Sequence, residues 1–404
     1  MRVLTAVIVI WKLVAPVAAQ TLSPAPLTIE AAIERAMTAN PSIAAARLRR
    51  VATLTAIDVA RERLNPEVRV ELEREAPTQA YSLAIPIETG GKRARRLAVS
   101  HAAVNVKDAE LARTTLDVRT SVRRAYFGRH VAESRLALLQ EMETLAVRAR
   151  DVAQQRFDAG SAPRLEVLQA ELARSDAANQ AGAAQGAANA ARVQLNALLA
   201  LPPGTPVSLE TPLDVGLAPP ATGSAERAAS ASAEVAVFDR LLDEQRARVA
   251  LASALRVPDV TPEATITRGS EPEFNTGWRL GVSVAVPLFT RNRAGVRLEE
   301  ATLTHLAAER DAVAARITGE AAAALAIADA QRQLYLRYRD EIVPQATQIE
   351  LLAEDSYRLG RTGIAAYLQA LQASRDVRLR TLQSASDFHA ALADLELIIG
   401  APVP

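Results

Sequence analysis

The sequence predicts a mainly α-helical chain that carries four short membrane-crossing β-strands, built as two tandem repeats. Three observations lead there. Of 404 residues 84 are alanine and 17 are glycine, a composition that favours long, closely packed helices. Two short stretches near residues 66–87 and 258–288 instead alternate apolar and polar residues with period two, which is the strand signature. Finally, the chain matches itself at an offset of about 200 residues. Gln155-Arg156-Phe157-Asp158-Ala159-Gly160 aligns with Asp355-Ser356-Tyr357-Arg358-Leu359-Gly360, and identity continues at Leu168/Leu368, Gln169/Gln369, Ala170/Ala370, Ala173/Ala373 and Asp176/Asp376.

Taken in order, Met1-Arg2, the mostly apolar run Val3 to Val17 and the small residues Val17-Ala18-Ala19 read as an export signal over 1–19, cleaved before Gln20. Lys12 within the apolar run leaves open a buried N-terminal helix. Cleavage removes Arg2 and Lys12 and takes the formal charge from +1 to −1. The first repeat, 20–201, opens with a helix over 30–63, continuous but for Pro41. Strands follow within 66–87, where Val68, Val70 and Leu72 alternate with Glu67, Arg69, Glu71 and Glu73, and Tyr81, Leu83, Ile85 and Ile87 repeat the pattern. From Ala94 to Phe157 there is no proline, and Leu97, Val104, Leu111, Val118, Ala125, Ala132, Leu139, Ala146 and Ala153 recur every seven residues as a coiled-coil seam. At 1.5 Å per residue that helix is about 95 Å long, far more than a compact domain needs. A hairpin turn at 158–163 returns the chain into another helix. Six prolines between Pro202 and Pro220 mark 202–225 as a linker or irregular belt.

The second repeat, 226–404, has the same order: a helix, strands within 258–288, a long helix over 292–357 that Gly319 and Pro344 should loosen, a turn at 358–363 and a last helix. In its strands Val260, Ala264 and Ile266 face away from Thr261, Glu263, Thr265 and Thr267. Trp278, Leu280, Val282, Val284, Val286 and Leu288 oppose Arg279, Gly281, Ser283 and Ala285. At about 8 to 11 residues each, the strands match a tilted bilayer crossing. Two hairpins on a soluble domain would show the same alternation. The rest of the chain, however, is long helix, and lipid is the natural cover for so much apolar surface. Tyr81, Phe274 and Trp278 fall near the inter-strand loops, where an interfacial aromatic girdle would sit. Four strands cannot close a barrel, so several copies must share one wall; three would give 12 strands.

Other function classes drop out. With no cysteine there is no thiolate metal site, disulfide framework or cysteine nucleophile. His101, His130, His305 and His389 are scattered and read as residues on helix faces. Gly90-Gly91-Lys92 fails as a phosphate loop because Pro86 stands at the first glycine position and Arg93 at the Ser/Thr position. No nucleophile elbow or dinucleotide loop is present, so the reading is of a non-enzyme without a cofactor or metal. Arginines interleave with acids, which argues against nucleic acid.

These residues resemble the TolC family of outer-membrane efflux channels over nearly the whole mature chain. Gln155 to Leu172 is similar to the family's first periplasmic hairpin and Tyr357 to Asp376 to its second. Pro86-Ile87-Glu88-Thr89-Gly90-Gly91-Lys92-Arg93 is similar to the branch serving cobalt-zinc-cadmium efflux. The resemblance implies a homotrimer in outer-membrane lipid, with a 12-strand barrel and a helical tunnel reaching through the periplasm. It also implies docking to a periplasmic adaptor (membrane fusion) protein and an inner-membrane efflux pump. The implied adaptor-contacting tips are Ala159, Gly160 and Ser161 with Leu359 and Gly360. The implied constriction residues are Glu166, Tyr357, Arg361 and Thr362. Because Thr362, Ala366 and Gln369 stand where the family carries charges, its usual charge network is missing here. A periplasmic coiled-coil protein of structural or adaptor-like kind, and a channel for organic compounds, are the alternatives left open.

Overall fold

A computed structural model describes residues 26–75, 77–218, 224–269 and 276–400. The expected export signal and Phe274 lie outside these residues. Helices α1 (Ile29–Ala39) and α2 (Pro41–Arg61) lead into strands β1 (Glu67–Leu72) and β2 (Gln79–Ala84), and α3 (Lys92–Asp158) and α4 (Arg164–Leu198) form the first long hairpin. After the proline-rich segment come α5 (Ser224–Ala231) and α6 (Ala233–Ala254), strands β3 (Val260–Arg268) and β4 (Gly277–Val284), and α7 (Arg293–Arg337). A π-helical turn (Tyr338–Ile342), α8 (Val343–Arg358) and α9 (Ile364–Ile399) complete the chain.

The single helix expected over 30–63 is in fact two. Pro41 has no N–H to continue α1, and the Asn40 side chain accepts from Ser42 N at 2.9 Å, starting α2 afresh. The second repeat makes the same break without a proline: Ser232 Oγ accepts from Glu234 N at 3.2 Å and separates α5 from α6. The first long helix is unbroken for 67 residues, about 100 Å. None of its nine seam positions is exposed, and Val104, Val118, Leu139, Ala146 and Ala153 are fully buried. In the second repeat Gly319 lies inside a continuous α7, and the helix changes its hydrogen bonding at Pro344. Without an N–H on Pro344, the ladder slips there to a Val343 N–H···O=C Tyr338 bond, giving the π turn.

The four strands form one antiparallel sheet in the order β1-β2-β3-β4, so the two repeats join through β2 and β3. The strands have 6, 6, 9 and 8 residues, the first pair shorter than the sequence suggested. Backbone bonds nevertheless carry the β2–β3 ladder on to Ile85 and Ile87, at 3.0 and 2.9 Å.

Residues 202–218 of the proline-rich segment lie against the middle of the long helices as a belt. Tyr126, buried on α3, donates to Leu27 O at 2.7 Å and accepts from Glu210 N and Thr211 N at 3.2 and 3.0 Å. Around it Ile29, Ala36, Ile43, Val122, Phe127, Leu195 and Leu199 close the largest apolar cluster.

Candidate functional site

In a strand sheet of a soluble protein the apolar face is the covered one. Here the polarity is reversed. The rows Val68–Leu83–Ala264–Leu280 and Val70–Tyr81–Ile266–Trp278 run across all four strands on one face. Trp278 is 77 % exposed, and Val68, Leu280 and Val282 are about equally open. The opposite face carries Arg69–Ser82–Thr265–Arg279, with Glu67, Glu71 and Glu263 alongside. Its centre is covered, and the Ser82 and Thr265 hydroxyls hydrogen-bond at 2.9 Å. An outward apolar face and an inward polar face are what a lipid-facing channel wall requires.

The link between sheet and helices is built from the Glu88-Thr89-Gly90-Gly91-Lys92 segment. Gly90 and Gly91 both adopt left-handed φ (+63° and +73°), and a side chain on Gly90 would meet Val257 Cβ at 2.8 Å. Buried Lys92 lies 2.7 Å from Asp259, which also accepts from Thr89 N at 2.9 Å. Burial pushes the Asp259 carboxyl up, but the Lys92 ammonium and the Thr89 N–H outweigh it and hold the group below its ordinary range. Arg96 grips Glu88 at 2.5 Å and caps the last carbonyls of α2 at Ala60 and Glu62.

At the far end of the helices both turns have the same form. Ser161 N donates to Arg156 O (2.8 Å) and Gly160 N to Phe157 O (2.9 Å); Arg361 N donates to Ser356 O (2.9 Å) and Gly360 N to Tyr357 O (3.0 Å). These are paired Schellman motifs, and Gly160 and Gly360 supply the positive φ they need, +70° and +68°. The predicted tips Ala159, Gly160, Ser161, Leu359 and Gly360 are all exposed.

Of the four predicted constriction residues, the fold brings two together. Tyr357 is buried, stacks on Tyr367 (5.4 Å, 16°) and directs its hydroxyl to Glu166 at 3.5 Å. Arg361 and Thr362 are exposed and outside this cluster. Its cation is Arg156, 3.7 Å from Glu166 and 4.9 Å over the Tyr357 ring, so the cluster carries one charge pair. Burial raises the Tyr357 phenol, and the Glu166 charge adds to that. Glu166 also sits in the first turn of α4, where the helix dipole favours an anion.

The belt holds one of the four histidines. His389 lies on a face of α9, as the sequence suggested, and that face is covered: the ring is buried, stacks on Phe127 at 3.6 Å and 5°, and binds Leu213 O through Nε2 at 2.8 Å. Burial lowers it to about 4, so it is neutral and Nε2 donates. His130 holds the neighbouring Thr211 O at 3.1 Å. The Tyr126-Phe127 pair, in a chain with 3% aromatics, was the available sign that α3 anchors something there. Among the described residues there is no group of three or more His, Asp or Glu placed to hold a metal ion.

A channel-wall sector mounted on helices long enough to span a periplasm defines a class: the outer-membrane conduit. Comparison with known proteins agrees. The "Outer membrane efflux protein" family model matches residues 32–201. The cobalt-zinc-cadmium resistance protein CzcC of Cupriavidus metallidurans is 26% identical over 385 residues, covering 93% of this chain and 90% of that protein. The fold is similar to that of CusC (TM-score 0.78, 14% identity, 92% of each chain). It is also similar to the open state of the Neisseria gonorrhoeae MtrE outer membrane channel (TM-score 0.76, 17% identity, 93% and 89%). The first repeat thus carries the sequence pattern of outer membrane efflux proteins, and the whole chain shares the fold of solved outer-membrane channels.

Proposed function

We propose that three copies of this chain assemble into a passive conduit, pooling their sheets into one 12-strand barrel in the outer membrane and their helices into a periplasmic tunnel. The observation that carries this is the reversed polarity of the sheet, apolar outside from Val68 to Trp278 and polar at Ser82 and Thr265 inside. Edges β1 and β4 have unpaired backbone groups, and hydrocarbon does not tolerate such edges, which favours closure by further copies. The chain does no chemistry of its own. It reads as two repeats, 20–201 and 226–404, joined by the belt at 202–225.

The tips Ala159–Ser161 and Leu359–Gly360 form the docking end for a periplasmic adaptor, and through it an inner-membrane pump. The likeness to CzcC supports heavy-metal cations as cargo. Glu166, repeated around a threefold axis, would form an acidic ring that favours cations, each carboxylate offset in part by its Arg156 partner, with Tyr357 beside it and Arg361 and Thr362 at the mouth. Purified protein in planar bilayers tests this: discrete, cation-preferring conductance is expected, reduced in selectivity by Glu166→Gln. Unchanged reversal potentials would remove Glu166 from the pore. Recovery as a detergent-independent soluble monomer would overturn the conduit. For the cargo, a deletion strain should lose resistance to cobalt, zinc or cadmium; unaltered growth would contradict the metal reading.

A further inference from the structure

Where helices meet strands, the fold leaves a set of cations unused. The two longest helices, α3 and α7, both start at this level, and neither has an acid in its first turn. Instead α7 opens with Arg293, preceded by Arg291 and followed one turn later by Arg297, all exposed. A cation at a helix N-terminus faces the positive end of the dipole, so this placement needs a negative charge from elsewhere. Of the nearby acids Glu88 holds Arg96, Asp259 holds Lys92 and Glu299 accepts from Gln245, while exposed Glu300, three residues beyond Arg297, leaves Arg291 and Arg293 at the helix start without an acid in sequence reach. Arg291 reaches only the Pro287 carbonyl, at 3.3 Å, and among the described residues no acid pairs with Arg293 or Arg297.

A second observation concerns the same groove. Val286, Leu288 and Phe289 are exposed, Phe289 at 98 %, and follow directly on the end of β4 at Val284, the chain turning where Leu288 N donates to Val286 O at 2.9 Å. Leu288 and Phe289 line an open groove of about 570 Å³ together with Arg291, Arg293 and Arg297. Exposed apolar surface at the end of the lipid-facing strand, rimmed by arginines at the helical end, matches one occupant in both shape and charge. We propose that this groove binds the phosphodiester headgroup of an anionic phospholipid in the leaflet on the helical side. Phe289 and Leu288 lie among the first acyl carbons, and Arg291, Arg293 and Arg297 hold the phosphate, whose oxygens a guanidinium fork meets in pairs. The proposal rests on the reading of the sheet as a membrane wall.

The test compares the detergent-purified assembly with its Arg291→Gln/Arg293→Gln/Arg297→Gln variant, measuring retention of phosphatidylglycerol against phosphatidylcholine by native mass spectrometry. A preference for phosphatidylglycerol is expected. It should fall at least tenfold in the variant, since each arginine near an anionic surface is worth about fivefold. A variant that keeps the preference, a parent chain without one, or equal displacement by inorganic phosphate would overturn the headgroup site. Trp278 fluorescence in a Trp11→Phe chain, read in vesicles with brominated acyl chains, separates the two readings. Quenching without lipid preference sinks the headgroup site alone, whereas absence of quenching sinks the membrane wall and this site together.

Discussion

The two repeats share one topology and differ in where they are stiff. In the first, α3 runs unbroken for 67 residues from the base of the sheet to the tip. In the second, the same path is divided at Tyr338–Ile342 by the π turn that Pro344 imposes. The division extends to chemistry. The first repeat supplies Arg156 and Glu166 to the apex cluster, whereas the second supplies the packed aromatics Tyr357 and Tyr367. Belt anchoring is shared unequally too, with Tyr126 and His130 from α3 and His389 from α9. Duplication therefore preserved the frame, while one copy became a continuous spine that fixes the belt and the other took on a joint.

The sharpest way to break this contrast is to remove the spine's main anchor. Tyr126→Ala empties a fully buried site and orphans the Thr211 N–H, while Glu210 N keeps its bond to Leu27 O, so a loss of about 3–5 kcal/mol is expected in thermal or denaturant unfolding in detergent. An unchanged midpoint would mean the belt is held elsewhere.

His389 tests the second repeat's share of the belt. Its folded pKa of about 4 lies below the ordinary 6.5, so the unfolded chain takes up the proton first. Stability should be complete above pH 6.5, decline as pH falls, and be lower by about 3 kcal/mol once pH has passed through 4. His389→Gln should flatten that part of the profile; an identical slope in the variant would exclude His389 as its source.

Corresponding joints ahead of the two long helices offer a smaller comparison. Gly91 (φ +73°) caps α3 and Asn292 (φ +47°) caps α7, both left-handed, and Asn292 adds a bond from Nδ2 to Ala252 O at 2.8 Å. Gly91→Asn should cost under about 1 kcal/mol, because asparagine tolerates this conformation and nothing lies within 4 Å of an added Cβ; Gly91→Val should cost about 2. Equal losses would show that the joint's conformation is not what matters. The smallest effect expected is a gain. Gly319→Ala in the unbroken α7 should stabilise by about 0.5–1 kcal/mol, and a loss would place a bend there.

What the sequence disclosed was whatever repeats locally. The seven-residue seam, the period-two strands and the Arg-Phe-Asp-Ala-Gly turn are written in consecutive residues, so the long helices, the four strands and both tips could be read directly. Glu166 and Tyr357 were legible through the resemblance, but their meeting was not: it depends on how two hairpins 191 residues apart pack side by side. Arg156 lies ten residues before Glu166 and reaches it only because a five-residue turn folds α4 back along α3. His389 looked like any polar residue on a helix, since its burial comes from a belt segment 176 residues earlier in the chain. The Ser232 break was hidden for another reason. Serine is common on helix surfaces, and only the Glu234 N–H it satisfies distinguishes a cap.

Because the chain has no cysteine, the orientation of the sheet can be read residue by residue. Single cysteines placed in turn from Gly277 to Val284, spin-labelled in bilayers and relaxed with oxygen or a water-soluble nickel chelate, report which face lipid covers. Period-two behaviour is expected, with positions 278, 280, 282 and 284 answering to oxygen and 279, 281 and 283 to the chelate. Uniform access of the chelate along the strand would contradict the membrane wall.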